Sequence, residues 1–421
     1  VKSFTINITR QPVKMLCYNW TVMKTITDKK RIEEAFGRGT VVEVFPSKEA
    51  LIEALVGGKR LKIYYGLDPT YIALHLGHAK NFMFLEELRQ LGHEVIVLFG
   101  DFTAMIGDPS DKSAARKQLT PEDVKRNVAD WMRQIKPIID FGDKDNPATI
   151  RYNSEWLSKL TFEQVLDAAS NFTVQQMLER DMFDKRMKSG TPIHLHEFMY
   201  PLMQGYDSVA MDVNAELCGT DQIFNALAGR TLMRRYKNKD KFVIALNLIA
   251  NPKTGELMSK SNGTGVFIDQ SAKDLFGAIM SLPDPMIEPL FLNCTRLPMS
   301  DMSALLEKGP RDAKAAVAFD IVKRFHGELE ANEAVAAFEK TFAKGGVPDE
   351  MAEVMISKAV PVAEALIKAG IVESKTEWRR LVTDGAVRTV DDKKIDDPAW
   401  SPTADVVLKI GKRRFVRLKI S

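Results

Sequence analysis

The stretch from Lys62 to Phe99 switches between two hydrophobic periods, and that switch limits the fold more than any other feature of the chain. Lys62–Leu67 reads as a short strand running into Asp68-Pro69. Ala79–Leu91 is amphipathic at helical spacing and stops at Gly92, a residue suited to a helix C-cap. His93–Phe99 is a continuous apolar run of the kind buried on both faces of a parallel sheet. Strand, helix and strand make a βαβ unit, so the expected class is α/β with a Rossmann-like, doubly wound parallel sheet. Such sheets bind ligands outside the carboxyl ends of their strands. The turn after Leu67 and the loop Gly100–Ser110 are therefore the first places to look for chemistry.

At 421 residues the chain is long enough for two to three domains. Residues 1–22 show no clear periodicity and are expected to be a poorly ordered extension. Residues 23–264 are expected to form the sheet domain, with a largely helical insertion over about 120–195 that opens at Thr120-Pro121. A second half of the sheet follows, with strands at Val213–Leu217 and Phe242–Ile249 around a helix at Ile223–Arg235. Helices are expected at Ala272–Met280, Met299–Lys308, Pro310–Phe325 and Asn332–Phe342, giving a helical domain over 265–345. Lys344-Gly-Gly-Val-Pro-Asp349 marks a linker over 346–357. A small α+β domain is expected over 358–421.

Net charge is only +3, yet it is unevenly spread. Residues 358–421 carry 14 Lys/Arg against 9 Asp/Glu, and Leu408–Ser421 has six basic residues and no acidic one. A local basic surface fits a polyanion, although a solvated edge strand has the same composition. The three cysteines, Cys17, Cys218 and Cys294, lack disulfide or zinc spacing, which points to reducing cytoplasm. No apolar run reaches membrane-spanning length.

Several segments are candidates for chemistry. His75-Leu-Gly-His78 opens a helix, where free N–H groups favour phosphate, and Gly77 carries no side chain to obstruct it. On its own such a pair is more often a metal pair or plain helix surface than a phosphate site. Met258-Ser259-Lys260-Ser261 puts one ammonium between hydroxyls on a Gly-flanked loop, which suits pyrophosphate but also any exposed loop. Tyr200, Gln204 and Asp207 share one face of an otherwise apolar helix, as either a satisfied network or a small polar-ligand site. Asp108 in Ile-Gly-Asp-Pro and Asp221 in Gly219-Thr-Asp-Gln222 are carboxylates for a ligand, or else a turn former and a helix cap.

Taken in order along the chain, Tyr64-Tyr-Gly-Leu-Asp-Pro-Thr70, His75–His78, Ile106–Ser110, Tyr200–Asp207, Gly219–Gln222 and Met258–Ser261 resemble the bacterial tyrosyl-tRNA synthetases, which are class I aminoacyl-tRNA synthetases. The resemblance runs from about residue 40 to 421. It implies a ligase that activates L-tyrosine with ATP to tyrosyl-adenylate and pyrophosphate, then charges tRNA(Tyr). It further implies Mg²⁺ with the ATP but no protein-ligated metal, a homodimer formed through the insertion, and no membrane partner. Tyr64 and Asp207 would hold the phenol hydroxyl, and Asp108, Tyr200 and Gln204 the α-ammonium. Thr70 and His75 would contact the γ-phosphate, with His78 near the phosphate chain. Lys260 would stabilise the leaving pyrophosphate, and Lys112 and Arg116 would be mobile-loop cations at the transition state. The ATP site would also take in Gly66, Asp68, Gly77, Gly219, Asp221, Gln222, Met258, Ser259 and Ser261. The last 64 residues resemble an S4-like RNA-binding domain, with Lys375, Arg379, Arg380, Arg388, Arg413 and Arg414 as phosphate contacts.

Four positions depart from the family pattern. Leu257 replaces a first lysine, a contact that Lys253 could supply instead. Leu76 replaces isoleucine. Glu216 and Cys218 stand where many relatives carry Gln and Gly, and Glu216 adds negative charge near the amino-acid pocket. Two other readings are a tryptophanyl-tRNA synthetase and a non-enzymatic RNA-binding paralogue. The Tyr64–Asp207 pair argues against the first, because indole offers a single donor. The presence of His78, Asp221 and Lys260 argues against the second.

Overall fold

The structure, a computed structural model, describes residues 24–108, 119–179, 181–259, 263–340, 351–356, 361–391, 393–411 and 414–420. Residues 1–22 therefore lie outside the described residues. The chain forms two compact units. One holds the described residues up to Ile72 together with Lys80–Leu248, and the other holds Ala73–Ala79 together with the chain from Ile249 onward. The expected boundary after residue 264 moves to 249, because Leu76 N bonds Val266 O at 2.9 Å and Ile268 N bonds Leu74 O at 2.9 Å.

The first unit is built on six strands: β1 Val41–Phe45, β2 Lys62–Leu67, β3 Glu94–Phe99, β4 Thr149–Tyr152, β5 Ala215–Gly219 and β6 Phe242–Leu246. Their order is β1-β6-β5-β2-β3-β4, and every pairing is parallel except β1 with β6. The chain winds outward from β2 through β3 to β4, then returns to the other side of β2 as β5 and β6. The carboxyl ends of β2 and β5 thus flank the reversal point, where doubly wound sheets bind ligands. All of β5 and nearly all of β3 are buried, as strands covered on both faces must be.

Two strands of this sheet escaped the sequence reading. β4 lies inside the stretch taken as a helical insertion. Four residues, Thr149-Ile-Arg-Tyr152, are too few to establish a period. β1 is a five-residue edge strand of the opposite direction. β5 begins two residues later than expected and runs on to Gly219, which pairs with Leu246. The helix Pro121–Ile135 starts as expected on a Thr120–Asp123 capping box with Pro at its first turn. Its Asn127, Trp131 and Gln134 donate to the carbonyls of Pro69, Tyr71 and Ile72 at 2.8, 2.6 and 2.8 Å, fixing the turn after β2.

Helices Met199–Met211 and Ile223–Lys237 press together at two glycines. A Cβ at Gly205 would lie 3.1 Å from the backbone of both Ala228 and Gly229. Gly92 (φ +92°) ends the helix Leu76–Gln90 as expected, and the chain passes so close that a Cβ there would lie 2.9 Å from Thr25 Cα.

The second unit contains helices Ala272–Met280, Ile287–Cys294, Asp301–Glu307, Pro310–His326 and Glu328–Phe338. Ile287–Cys294 was not expected. The last helix starts four residues early, with Glu328 and Glu330 in its first turn where the helix dipole favours anions. A four-stranded sheet follows: β7 Ala352–Ile356, β8 Val387–Thr389, β9 Val406–Ile410 and β10 Arg414–Ile420, in the order β7-β10-β9-β8. β7 falls inside residues 346–357, read as linker, and pairs parallel with β10. Helices Val362–Lys368 and Lys375–Thr383 pack on this sheet around Trp378, Leu366 and Leu408. Among the described residues no single helix is long and apolar enough to cross a membrane.

Candidate active site

In the first unit the even-numbered side of β2 faces the helix Met199–Met211, and the polar residues gather there. Tyr64 is fully buried against Ile96, Leu98, Met211 and Val213. Its hydroxyl lies 3.1 Å from Ser208 Oγ. Burial, with the charges of Glu216 and Asp207, pushes its pKa well above the usual phenol value. Asp207 is also buried. It accepts from Trp156 Nε1 at 2.7 Å and Asn153 Nδ2 at 3.4 Å. Burial drives its pKa well up, and those two donors pull it back.

Asp68, just past the end of β2, accepts from Tyr200 Oη at 2.9 Å and Thr103 Oγ1 at 2.6 Å. Burial pushes its pKa up to about 7 despite both donors. Gly100 leaves room for this carboxylate, since a Cβ there would sit 2.0 Å from Asp68 Oδ1. Gly66 is exposed, and a Cβ there would make only ordinary contacts with Tyr64 and Leu98 at 3.5 and 3.6 Å.

A second run of bonds crosses the same face. Gln222 Nε2 donates to Asp108 Oδ2 at 2.7 Å, and Asn225 Nδ2 donates to Gln222 Oε1 at 2.8 Å and Gln204 Oε1 at 3.0 Å. Gln204 Nε2 donates to Glu216 Oε1 at 2.8 Å. Glu216 in turn pairs with Lys241, so its charge is compensated within the protein rather than left facing the pocket. Asp221 stands exposed at the end of β5, 3.4 Å from Gln222 Nε2. Asp68, Asp108, Tyr200, Gln204, Gln222 and Asp221 are thus brought together, with Tyr64 and Asp207 behind them. Thr70 sits on the turn held by the Pro121–Ile135 helix.

In the second unit the His75–His78 segment is bridged to Phe267. The two imidazoles are 3.9 Å apart. His75 Nδ1 accepts from Gly77 N at 3.1 Å, and His78 Nδ1 from His75 N at 3.3 Å. Burial lowers His75 to about 4, so at neutral pH its ring is uncharged and its proton lies on Nε2. Gly77 has a nearer reason than ligand access, because a Cβ there would lie 2.8 Å from the His75 ring. Met258 is buried, with its N–H on Ile249 O at 2.7 Å, and Ser259 N bonds Thr264 Oγ1 at 3.1 Å. These bonds close the base of the loop. Lys260, Ser261, Lys112, Arg116 and Arg413 lie outside the described residues. Leu257 is 41% exposed, and Lys253 is exposed beside it.

Among the basic residues of the last domain, Arg379 and Arg380 are exposed. Lys375 is paired with Glu364 at 2.5 Å. Arg414 donates to Glu377 at 2.9 Å and Ile371 O at 2.6 Å, which ties the sheet to the first helix turn. Arg388 lies on β8. The sequence reading missed Thr103, Asn153, Trp156, Ser208, Asn225 and Lys241. Asn153 and Trp156 follow the unrecognised β4, and the others owe their place to neighbours distant in sequence.

A doubly wound sheet with polar side chains gathered at its reversal point is the architecture of a ligand-binding α/β protein, as nucleotide-using enzymes are. The description "tRNA synthetases class I (W and Y)" belongs to a family model that matches residues 57–343. Tyrosine–tRNA ligase of Carboxydothermus hydrogenoformans is 41% identical over 93% of this chain and 98% of its own. Tyrosine–tRNA ligase of Haemophilus influenzae is 40% identical over 94% of this chain and 98% of its own. The C-terminally truncated mitochondrial tyrosyl-tRNA synthetase of Aspergillus nidulans superposes with a TM-score of 0.63 at 24% identity. It covers 74% of this chain and 94% of that one, a likeness of fold. The chain belongs to the class I tRNA synthetase family for tryptophan and tyrosine.

Proposed function

We propose that this chain is a tyrosine–tRNA ligase. A tyrosine carboxylate oxygen attacks the α-phosphorus of ATP, the bond to the β-phosphate oxygen breaks, and pyrophosphate leaves. The terminal ribose hydroxyl of tRNA(Tyr) then attacks the tyrosyl carbonyl and AMP leaves. No covalent bond to the protein is needed, so catalysis is positioning and charge stabilisation.

The observation that carries the tyrosine reading is the buried pair of polar groups behind the cluster at the sheet's reversal point, Tyr64 and Asp207. Tyr64 would donate to the substrate phenol oxygen and Asp207 would accept its proton. A ligand lacking the hydroxyl would keep the bonds that Ser208, Trp156 and Asn153 make but lose one further bond at each group, at about 1 kcal/mol each. Indole, with one donor and no acceptor, would satisfy only Asp207. At the other end Asp108, Tyr200, Gln204 and Asp68 supply acceptors and charge for the α-ammonium.

Gly66, Gly219, Asp221 and Gln222 would take the adenosine, with Asp221 on the ribose. His75, His78 and Thr70 would bind phosphate through N–H and O–H donors, and Lys260, with Lys112 and Arg116, would offset charge on the departing pyrophosphate. Mg²⁺ would be carried by the ATP phosphates, whose charge it offsets.

A homodimer is supported by Phe162, Leu166, Val174, Met187 and Leu195, which put a group of exposed apolar side chains on the segment between β4 and β5. An S4-like role in binding tRNA is supported by the exposed Arg379 and Arg380. Transfer of labelled tyrosine to tRNA(Tyr) by the purified protein tests the whole reading, and charging with tryptophan instead would defeat it.

A further inference from the structure

Among the described residues of the first unit, Lys241 is, with Lys80, one of two fully buried lysines. Its side chain has no exposed surface, and that of Glu216 has only 2%. Lys241 directly precedes β6, and Glu216 is the central strand neighbour of Tyr64 in the β2–β5 ladder. Besides its ion pair with Glu216, Lys241 Nζ donates to Ser208 Oγ at 2.6 Å and lies 5.6 Å from the centre of the Tyr64 ring. Backbone makes the room: a Cβ at Gly229 would lie 2.4 Å from Lys241 Nζ and 2.9 Å from Ser208 Oγ.

The ammonium gives this cluster a direction. It can only donate, so Ser208 Oγ must accept from it. The one proton of Ser208 is then available to Tyr64 Oη, 3.1 Å away, so Tyr64 donates its own proton, to the Glu216 carboxylate beside it or to a ligand that takes that place. At the other end, the Glu216 carboxylate can only accept. It therefore takes Gln204 Nε2 and turns Gln204 Oε1 away as an acceptor, where it receives Asn225 Nδ2 and keeps a second lone pair of the polarity an ammonium requires. One ion pair thus orients a donor at the phenol end and an acceptor at the ammonium end.

We propose that Lys241 is a positioning residue of the amino-acid pocket, setting the hydrogen-bond direction of Tyr64 through Ser208 and of Gln204 through Glu216, and so the preference for a phenol over an unsubstituted ring. This inference rests on the tyrosine reading above.

The test compares wild type, K241M and E216Q/K241M in ATP–pyrophosphate exchange driven by tyrosine or phenylalanine, together with thermal unfolding. K241M leaves Glu216 buried without a counter-charge. It is expected to raise the KM for tyrosine about tenfold or more and to narrow the tyrosine-to-phenylalanine ratio of kcat/KM about as much, with the KM for ATP unchanged. E216Q/K241M leaves no lone charge. It is expected to regain the Tm but keep the narrowed ratio. Regain of both would overturn the proposal, because Lys241 would then only balance charge; so would an unchanged ratio in K241M. If K241M fails to fold, the ratio in the double variant decides alone. A wild type with no tyrosine-dependent exchange would overturn the tyrosine reading and this inference together, whereas an active wild type with unaltered variants would overturn this inference only.

Discussion

The indole N–H of Trp156 donates to Asp207 Oδ1 at 2.7 Å, joining the short helix after β4 to the buried carboxylate on the helix Met199–Met211. Burial raises the pKa of Asp207, and this bond opposes the rise. A raised carboxyl pKa contributes stability that is present below the unfolded value and lost as pH rises through the folded one. Trp156→Phe removes a donor that holds the pKa down, so its cost should grow as pH rises. Urea denaturation is expected to show a loss of about 1–3 kcal/mol, the worth of a buried hydrogen bond. A loss that stays the same at every pH would mean that packing alone was removed.

Asp68, at about 7, is largely protonated at pH 6 in the free protein. An ammonium bound nearby favours the ionised form, so tyrosine binding at pH 6 should release a proton. Affinity should climb with pH up to about 7 and then level off. Calorimetry in buffers of different ionisation enthalpy measures the release directly, and proton-neutral binding at pH 6 would place Asp68 away from the ammonium.

His75 is held uncharged at neutral pH, with Nε2 as its donor. Activation should therefore show no titration of His75 between pH 6 and 8. His75→Ala should slow adenylate formation about a hundredfold, the usual effect of removing one donor at a transition state. Rapid-mixing measurements of adenylate formation check this, with tyrosine affinity expected to stay within about twofold because the residue serves phosphate only.

Lys260→Ala should likewise cut the rate of adenylate formation, by about a hundredfold, while tyrosine binding measured without ATP is barely altered. An unchanged activation rate would remove Lys260 from the mechanism.

The βαβ unit from Lys62 to Phe99 was legible because each element is long enough to show its period and Gly92 punctuates it. β4 was not, since Thr149–Tyr152 has too few residues to reveal any alternation. β7 was read as linker because its partner, β10, lies some sixty residues away in sequence. At the site, Asp68, Asp108, Tyr200 and Gln204 could be named from their segments, since each sits in a motif whose neighbours are local. Glu216 was noticed as excess negative charge, yet its partner Lys241 stands just before another strand and nothing adjacent to either announces the pair. Ser208 was overlooked for a similar reason. It lies next to Asp207, but only the β2 register brings Tyr64 over it. Residues whose role comes from a cross-strand or cross-helix partner are the ones a local pattern cannot supply.

The most direct test of the central claim is ATP–pyrophosphate exchange by the purified protein without tRNA, run with tyrosine, tryptophan and phenylalanine in turn. Exchange that depends on tyrosine alone is the predicted result, since only a phenol satisfies both Tyr64 and Asp207. Exchange driven by tryptophan, or by phenylalanine as well as by tyrosine, would contradict it.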